Sequence, residues 1–507
     1  MRQQLSYEDT AKKVRNKLRS YSAVSVVHHA LELTQSTHKE ILLDELKELP
    51  WITFLLVKVV LEDQMIPLYD GKSCPKDLFD SCRRELWNAA NIPPDDANGN
   101  IYLMVRSLIP AQLSFQKKPT LDFLRWPALI ARLNSTHPVR LQFEQRIGIT
   151  PDEFMCLCYS VYVPVISGNM IFNKDYFSPL MSVYANAIEC FMSEFARNLH
   201  ELRSELRKNL VDRVAENIAV RPRYEAFEFP WLSKYPLLRG NQHNYVVWHP
   251  LIFARGMEQA VHKRLSEDRE NYANHFSKVF EDYVIELIKE AELKYLSEQE
   301  YKKAVGNNKN AVEAIITNDE ANVFIESKMT AYSEKLSLSD LKPIVWPQLK
   351  RVREAMKQGW MVSSRLCEGG LPDWDCINSK ENFLIIVTSQ QTSCATGEHF
   401  RRMFDKDIFD PSRPNSPTIK QLEMLPLINI VIVSIEEFEH LMGCVIKKEI
   451  DLVSFLREVA AAHSDPKTSV MFIDQMLSSK TKKFKLPQLL ETANRRVEGL
   501  LRKVLPS

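Results

Sequence analysis

Residues 311–328, AVEAIITNDEANVFIESK, decide the fold of this 507-residue chain. Residues 311–317 and 323–328 are short apolar runs typical of strands, and the Asn and Asp residues between them tolerate the backbone of a tight turn. This stretch therefore predicts a β-hairpin. A stripe of apolar residues at helical spacing precedes it, from Phe276 to Ala291, and an amphipathic helix follows Pro347.

Two further runs complete the predicted sheet. Residues 383–388 (FLIIVT) and 428–434 (INIVIVS) are continuous apolar stretches of the type found in buried strands. The order of helix, hairpin, helix, strand and strand predicts an α/β or α+β layer with a mixed sheet. We expect four parts along the chain. A large all-helical domain at 1–224 is followed by an extended connector at 225–256 that is rich in aromatics and proline. The mixed-sheet domain with flanking helices covers 257–460, and a basic helical tail covers 461–507.

The composition excludes several classes of protein. Lysine and arginine total 66 against 65 acidic residues, so the net charge is +1 and binding to nucleic acid by bulk charge is not expected. Glycines number only 13, and the glycine loops that bind nucleotides are missing. No apolar run reaches the length of a membrane span, no secretory signal is seen, and the nine cysteines form no Cys-x-x-Cys pair. We expect a cytoplasmic protein with free thiols and no membrane contact.

Glu313, Glu326 and Lys328 are ionisable residues within otherwise apolar strands. Alternation along a strand puts Phe324, Glu326 and Lys328 on one face, and the hairpin can bring Glu313 close to them. Burying three such groups costs free energy unless they pair, bind a metal or line a cleft. Two simpler interpretations stay open, namely an edge-strand ion pair between Glu326 and Lys328, and a Glu313 that faces solvent.

These residues resemble the PD-(D/E)xK nuclease superfamily, whose core has an acid on one strand and an acid-x-Lys motif on the next. Glu313 corresponds to the first acid, and Glu326-Ser-Lys328 is similar to the motif. The segment FEDYV resembles part of the family's preceding helix and supplies Glu281. The segment WPQLKRVREAMKQGW resembles the following helix, which often carries a Gln or Lys, here Gln348 and Lys350. The resemblance covers roughly residues 257–445 and leaves residues 1–224 unexplained.

The resemblance implies a restriction-endonuclease-like fold and a nuclease that hydrolyses phosphodiester bonds, with DNA as the expected substrate. Glu313 and Glu326 would hold Mg²⁺ or Mn²⁺, which prefer carboxylate oxygens, and Glu281 would assist through a water. Lys328 would stabilise the charge that develops on phosphate. Members with large unmatched helical domains are often bacterial or mobile-element defence proteins, so residues 1–224 would sense a trigger or protein partner.

One departure from the family pattern keeps an alternative open. The usual first-strand acid is Asp, and the extra methylene of Glu313 moves the carboxylate outward. A degenerate, non-cleaving scaffold that binds protein or nucleic acid therefore remains a second hypothesis. The oligomeric state is not predicted.

Polar and basic residues after the motif are candidate contacts to nucleic acid. Gln348, Lys350 and Arg351 lie on the following helix, and Arg401 and Arg402 follow the strand at 383–388. Lysine and arginine neutralise phosphate charge without reading base sequence. Charged residues on a helix are also typical of a solvated face, and both interpretations stay open.

Overall fold

The computed structural model describes residues 6–36, 50–90, 100–106, 115, 121–215, 225, 228–241, 244–266, 269–306, 310–330, 336, 339–369, 381–404, 409–412 and 416–504. Within these ranges the protein is mixed α+β, with a large helical portion and two small mixed sheets. The predicted mixed class is confirmed. The predicted division into four domains stays a prediction, and its boundary at 224 lies outside the described residues.

The first half of the chain is mainly helical. Its helices are α1 (Tyr7–Leu18), α2 (Ala23–Ser36), α3 (Pro50–Glu62), α4 (Lys76–Ala89), α5 (Arg125–Ala131), α6 (Pro138–Ile147), α7 (Pro151–Ile166), α8 (Ser178–Phe195), α9 (Leu199–Ala215), α10 (Pro250–Leu265) and α11 (Arg269–Glu290). Local signals set several of their ends. Thr150 and Glu153 form a reciprocal capping box at the start of α7, and Gly148, at φ 82°, ends α6 in the left-handed region.

Strands and helices alternate more evenly in the second half. The strands are β5 (Tyr295–Ser297), β6 (Ala314–Thr317), β7 (Ala321–Lys328), β8 (Glu381–Thr388) and β9 (Ile430–Ser434). The helices are α12 (Glu298–Val305), α13 (Lys342–Gln348), α14 (Lys350–Gly369), α15 (Gly397–Phe404), α16 (Ile419–Met424), α17 (Ile435–Ile446), α18 (Leu452–Ser464), α19 (Ile473–Lys480) and α20 (Gln488–Arg502).

The larger sheet has the order β5-β6-β7-β8-β9. Strand β7 pairs antiparallel with β6 and parallel with β8, so the direction of pairing changes at β7. The hairpin predicted at 311–328 is present, although its first strand begins at Ala314. The carboxyl ends of β7, β8 and β9 meet at one edge of the sheet, because these three strands are parallel.

Helices cover both faces of this sheet, which explains its continuous apolar strands. On one face, Val323 and Ile325 of β7 belong to the same buried cluster as Phe280 of α11. On the other face, Phe324 clusters with Met356 of α14. Glu326 and Lys328 alternate with Ile325 and therefore continue the Phe324 face towards the carboxyl end of β7.

A smaller sheet lies within the region predicted to be all-helical and in the predicted connector. Its strands are β1 (Ile171–Phe172), β2 (Ala196–Arg197), β3 (Leu237–Arg239) and β4 (Tyr245–Val247), in the order β1-β4-β3-β2. Residues 1–224 are thus not entirely helical, because β1 and β2 pair with strands that come later in the chain. The range 225–256 is not entirely extended either, because α10 begins at Pro250, with His249 accepting a hydrogen bond from Leu251.

The apolar core continues across the predicted domain boundaries. One buried cluster contains Phe154 of α7, Phe280 of α11 and Val323 of β7. The C-terminal helix α20 adds Leu490 and Val497 to that cluster, so its apolar side is packed rather than free. Helices from the N-terminal region and the larger sheet therefore share one core.

In the part of the chain that the structure covers, no helix combines the length and the apolar character needed to span a bilayer. Seven cysteines are free thiols, and six of these are buried, namely Cys74, Cys82, Cys156, Cys158, Cys394 and Cys444, while Cys190 is partly exposed. Burial raises the pKa of the Cys394 thiol to about 12, so this thiol stays protonated at neutral pH.

Candidate active site

The register of the β6–β7 hairpin determines which side chains meet. Ala314 is the first paired residue of β6 and lies opposite Ile325, so Glu313 directly precedes the strand and is not on it as predicted. The Asn318 side chain closes the turn by accepting hydrogen bonds from the backbone N–H groups of Glu320 and Ala321, at 2.9 and 2.8 Å. The turn therefore brings together two acids that are 13 positions apart in sequence.

The carboxyl groups of Glu313 and Glu326 are hydrogen-bonded to each other. Glu326 is only 1% exposed. Glu313 also accepts hydrogen bonds from the backbone N–H of Ser327 at 2.8 Å and from its hydroxyl at 3.2 Å. The longer side chain of Glu thus reaches across the hairpin to β7, where Glu326 is buried and Glu313 is partly buried.

Lys328 supplies the positive charge of this cluster. Its ammonium forms an ion pair with Glu326, and its side chain is 18% exposed. Burial lowers the pKa of Lys328, but the charges of Glu326 and Glu313 outweigh this effect and raise the pKa above its ordinary value. The ammonium therefore stays charged and lies between the buried carboxyls and solvent.

Glu281 lies at the rim of the cluster. It projects from α11, and its side chain is 29% exposed. Its carboxylate forms an ion pair with the ammonium of Lys278 at 3.3 Å. Burial and the nearby charge of Glu313 raise its pKa, and its own charge acts on Lys328. The four predicted residues Glu281, Glu313, Glu326 and Lys328 are therefore close enough to interact electrostatically.

Glu298 is a fifth member that the sequence did not identify. It begins α12, directly after β5, and its backbone N–H donates to the carbonyl of Glu313 at 3.1 Å. Its carboxylate contacts Lys302 at 2.5 Å and raises the pKa values of Glu281 and Glu326. Strand β5 at 295–297 pairs with β6 and brings Glu298 to the hairpin. Recognising this short strand in the sequence would have identified Glu298.

The protonation of the carboxyl pair follows from its surroundings. Burial, and next the neighbouring charge of Glu326, raise the pKa of Glu313 well above its ordinary value, against the opposing effect of Lys328. Burial also raises the pKa of Glu326, while the hydrogen bond from Glu313 and the charge of Lys328 lower it. The direction is that of two acids sharing one proton, with Glu313 as the protonated member.

The five predicted contacts to nucleic acid lie on helices outside this cluster. Lys350 and Arg351 at the start of α14 are exposed and pair with Glu354 at 3.7 and 3.2 Å. Arg401 and Arg402 on α15 both pair with Glu398. Gln348 is partly buried at the end of α13. None of the contacts seen among the described residues joins these five side chains to the carboxyl pair.

The cluster was tested for its fit to a divalent cation. Across the described ranges, no three or more His, Cys, Asp or Glu side chains are gathered as a ready set of metal ligands. Mg²⁺, however, usually keeps several waters and takes only one or two carboxylates from a protein. Glu313 and Glu326 supply two adjacent carboxyl groups, and only the ammonium of Lys328 pairs with them, so loss of the shared proton leaves one negative charge unmatched. This excess of negative charge fits a hydrated Mg²⁺ or Mn²⁺ that replaces the shared proton.

Comparisons with known proteins give no relative from which a function could be transferred. No family model matches the chain, and no match is found among curated proteins or solved structures. The chemistry of the cluster is therefore the basis on which a function can be inferred for this chain.

Proposed function

We propose that the protein is a metal-dependent nuclease of the PD-(D/E)xK type that hydrolyses phosphodiester bonds in DNA. The observation that carries the proposal is the pair formed by the partly buried Glu313 and the buried Glu326 beside Lys328, on the strand where pairing changes from antiparallel to parallel. In open α/β sheets, ligands commonly bind outside the carboxyl ends of the parallel strands, and Lys328 ends β7 at that edge. The arrangement matches the order of acid, acid and lysine that the motif requires.

Each residue has a defined role in this proposal. Glu313 and Glu326 would hold Mg²⁺ or Mn²⁺, and Glu281 at the rim would assist through a water. The bound ion would lower the pKa of a water nucleophile and offset the charge on the scissile phosphate. Lys328, which stays protonated beside the carboxylates, donates to the phosphate oxygens as their charge develops.

The N-terminal helical region, residues 1–224, is proposed to sense a trigger or a protein partner, as in a bacterial or mobile-element defence protein. Support comes from its packing, because α7 shares a buried cluster with β7. A change in the helical portion therefore has a direct mechanical route to the strand that carries Glu326 and Lys328. Gln348, Lys350, Arg351, Arg401 and Arg402 remain the proposed contacts to the nucleic acid.

Plasmid cleavage with Mg²⁺ or Mn²⁺ tests the assigned site. We expect Glu326→Gln, Glu313→Gln and Lys328→Ala to lower the cleavage rate by roughly a hundredfold or more, as expected for groups that bind the ion or stabilise developing charge. Matched controls are Glu189→Gln on α8 and Lys303→Ala on α12, both exposed. The controls should cleave at the parental rate.

Two results would reject this site. One is cleavage at equal rates by the parent and by the three site variants. The other is a loss of cleavage in the exposed controls that is as large as in the site variants. A chelator should abolish parental cleavage, and added Mn²⁺ should restore it.

A non-cleaving scaffold is the second candidate function. The observation that favours it is the hydrogen bond between Glu313 and Glu326 together with the 1% exposure of Glu326, since a hydrogen-bonded acid pair beside Lys328 can be stable without an ion. Isothermal titration with Mn²⁺ separates the two candidates. A nuclease site should release heat that disappears in Glu313→Gln, whereas a scaffold should show no heat linked to this residue.

A further inference from the structure

Residues 100–106 belong to the N-terminal region in sequence and pack against the second half of the chain. The Asn100 side chain donates to the carbonyls of Arg402 and Met403 at 3.0 and 2.7 Å, at the end of α15. The Tyr102 ring meets His399 of α15 edge to face, with 5.3 Å between ring centroids. Leu103 is buried in the same cluster as Phe324 of β7. This helical segment is therefore part of the core on the Glu326 face of the sheet.

Arg106, at the end of this segment, is buried and held by backbone carbonyls. It is 2% exposed, and its guanidinium donates to the carbonyls of Thr392 and Ser339, each at 3.2 Å, and to that of Leu336. Burial lowers its pKa to about 10. All three of these acceptors are main-chain groups, so Arg106 constrains the path of the backbone rather than another side chain.

The three carbonyls belong to the two segments that follow β7 and β8, at the carboxyl ends of these strands. Leu336 and Ser339 lie between β7 and α13, and Thr392 lies between β8 and α15. The two segments start side by side, because Ser389 donates its backbone N–H to the carbonyl of Lys328 at 3.3 Å and its hydroxyl to that of Thr330 at 3.1 Å. Arg106 bridges the same segments a few residues further on.

We propose that Arg106 is a positioning residue through which the N-terminal region fixes the two segments at the edge of the Glu326–Lys328 site. The proposal rests on the proposed nuclease function, since it assigns the regulation of that same site. A planar guanidinium donates in several directions at once, so one side chain can fix three carbonyls, which the single ammonium of a lysine cannot reproduce. Displacing residues 100–106 would remove these hydrogen bonds from both segments at once. The backbone next to Lys328 would then be less well fixed.

Hydrogen exchange of the full-length protein tests this role directly. We expect Arg106→Lys and Arg106→Gln to increase amide exchange roughly tenfold in residues 336–341 and 389–396, because hydrogen bonds from a charged donor are lost. The control is Arg203→Lys, because Arg203 also donates to two carbonyls, those of Leu61 and Ile66, but within the N-terminal region. Arg203→Lys should speed exchange near residues 61–66 and leave 336–341 and 389–396 unchanged.

Kinetics with Mn²⁺ give the second readout. We expect Arg106→Lys to lower kcat roughly tenfold or more, since small displacements at an active site cost rate, while the Kd for Mn²⁺ changes by less than about threefold. A merely structural role would instead raise exchange throughout the chain, and that result would overturn the proposal. So would unchanged exchange in either segment, or an equal increase in 389–396 for Arg203→Lys.

Failure of the nuclease proposal can be told apart from failure of this one. If the parent neither binds Mn²⁺ nor cleaves a plasmid, the nuclease function is rejected, and exchange alone decides whether Arg106 holds the two segments. If the parent cleaves and Arg106→Lys matches it in both readouts, the nuclease function stands and the role of Arg106 is rejected. Arg106→Lys is the deciding variant should Arg106→Gln fail to fold.

Discussion

Glu313 and Glu326, one at the start of a hairpin and the other near its end, share a hydrogen bond between their carboxyl groups. Two acids in contact behave as one titrating unit, because the charge on either raises the pKa of the other. The ammonium of Lys328 balances one negative charge, so the second must be matched by a proton or by a cation. This relationship has consequences for stability as well as for catalysis.

Glu313→Gln is expected to stabilise the protein above about pH 5 and to flatten its stability profile. The folded pKa of Glu313 lies well above the ordinary value of 4.5, so its stabilising contribution is complete below that value and is lost as pH rises through the folded pKa. A glutamine keeps a donor at all pH values. Thermal unfolding of the metal-free protein from pH 4.5 to 8.5 checks this, with Glu189→Gln as the exposed control. A Glu313→Gln profile parallel to that of the parent would contradict the shared proton.

Mn²⁺ is expected to stabilise the protein more at pH 8 than at pH 6, because the ion and the shared proton compete for the same oxygens. Free ion at tenfold its Kd adds about 1.4 kcal/mol to the free energy of unfolding. Melting temperatures with and without Mn²⁺ at the two pH values provide the measurement, and Glu326→Gln should show no shift. A shift that is independent of pH would place the ion elsewhere.

Lys328→Met is expected to destabilise the folded state by about 3 kcal/mol near neutral pH, because it leaves the buried Glu326 without its cation. The loss should shrink at acidic pH, where Glu326 becomes protonated. The double variant Glu326→Gln with Lys328→Met should regain most of the stability. Urea unfolding of the parent, the two single variants and the double variant gives the coupling free energy between Glu326 and Lys328. A value near zero would show that the two side chains act independently.

Arg125→Met is expected to cost about 3–5 kcal/mol in the free energy of unfolding. The Arg125 guanidinium is 0% exposed and pairs with Asp122, Glu258 and Glu439, at 2.9, 2.8 and 2.6 Å. These partners lie near α5, on α10 and on α17, so the arginine connects the N-terminal helices to the helix that follows β9.

The control for this prediction is Arg132→Met. Arg132 is 37% exposed and pairs with Glu286, and an ion pair of this kind contributes less than about 1 kcal/mol. Equal destabilisation by the two substitutions in urea unfolding would show that the buried network does not hold the two regions together.

Much of the cluster could be predicted because it depends on local pattern. Alternation along 323–328 puts Glu326 and Lys328 on one face, and the turn chemistry of residues 318–322 returns the chain towards Glu313.

The i to i+4 spacing of Glu398 and Arg402, and of Lys350 and Glu354, was also visible in the sequence. That spacing indicates pairing within a helix, and it gives Arg402 and Lys350 carboxylate partners in the structure.

Residues that act across long sequence separations could not be predicted in the same way. Glu298 reaches the cluster through the pairing of β5 with β6, and Arg106 reaches backbone carbonyls more than 200 positions away. The two strands β1 and β2 were missed because they are only two residues long and gain their hydrogen bonds from β3 and β4.

The amino-acid sequence by itself determined the mixed class, the β6–β7 hairpin and the side of β7 on which Glu326 and Lys328 lie, because strand period and turn chemistry act over a few residues. Contacts between distant segments bring the carboxyl groups of Glu313 and Glu326 together, place Glu298 beside them and hold Arg106 against three backbone carbonyls. Those features depend on burial and on contacts between distant segments, and such contacts form only when the whole core is assembled.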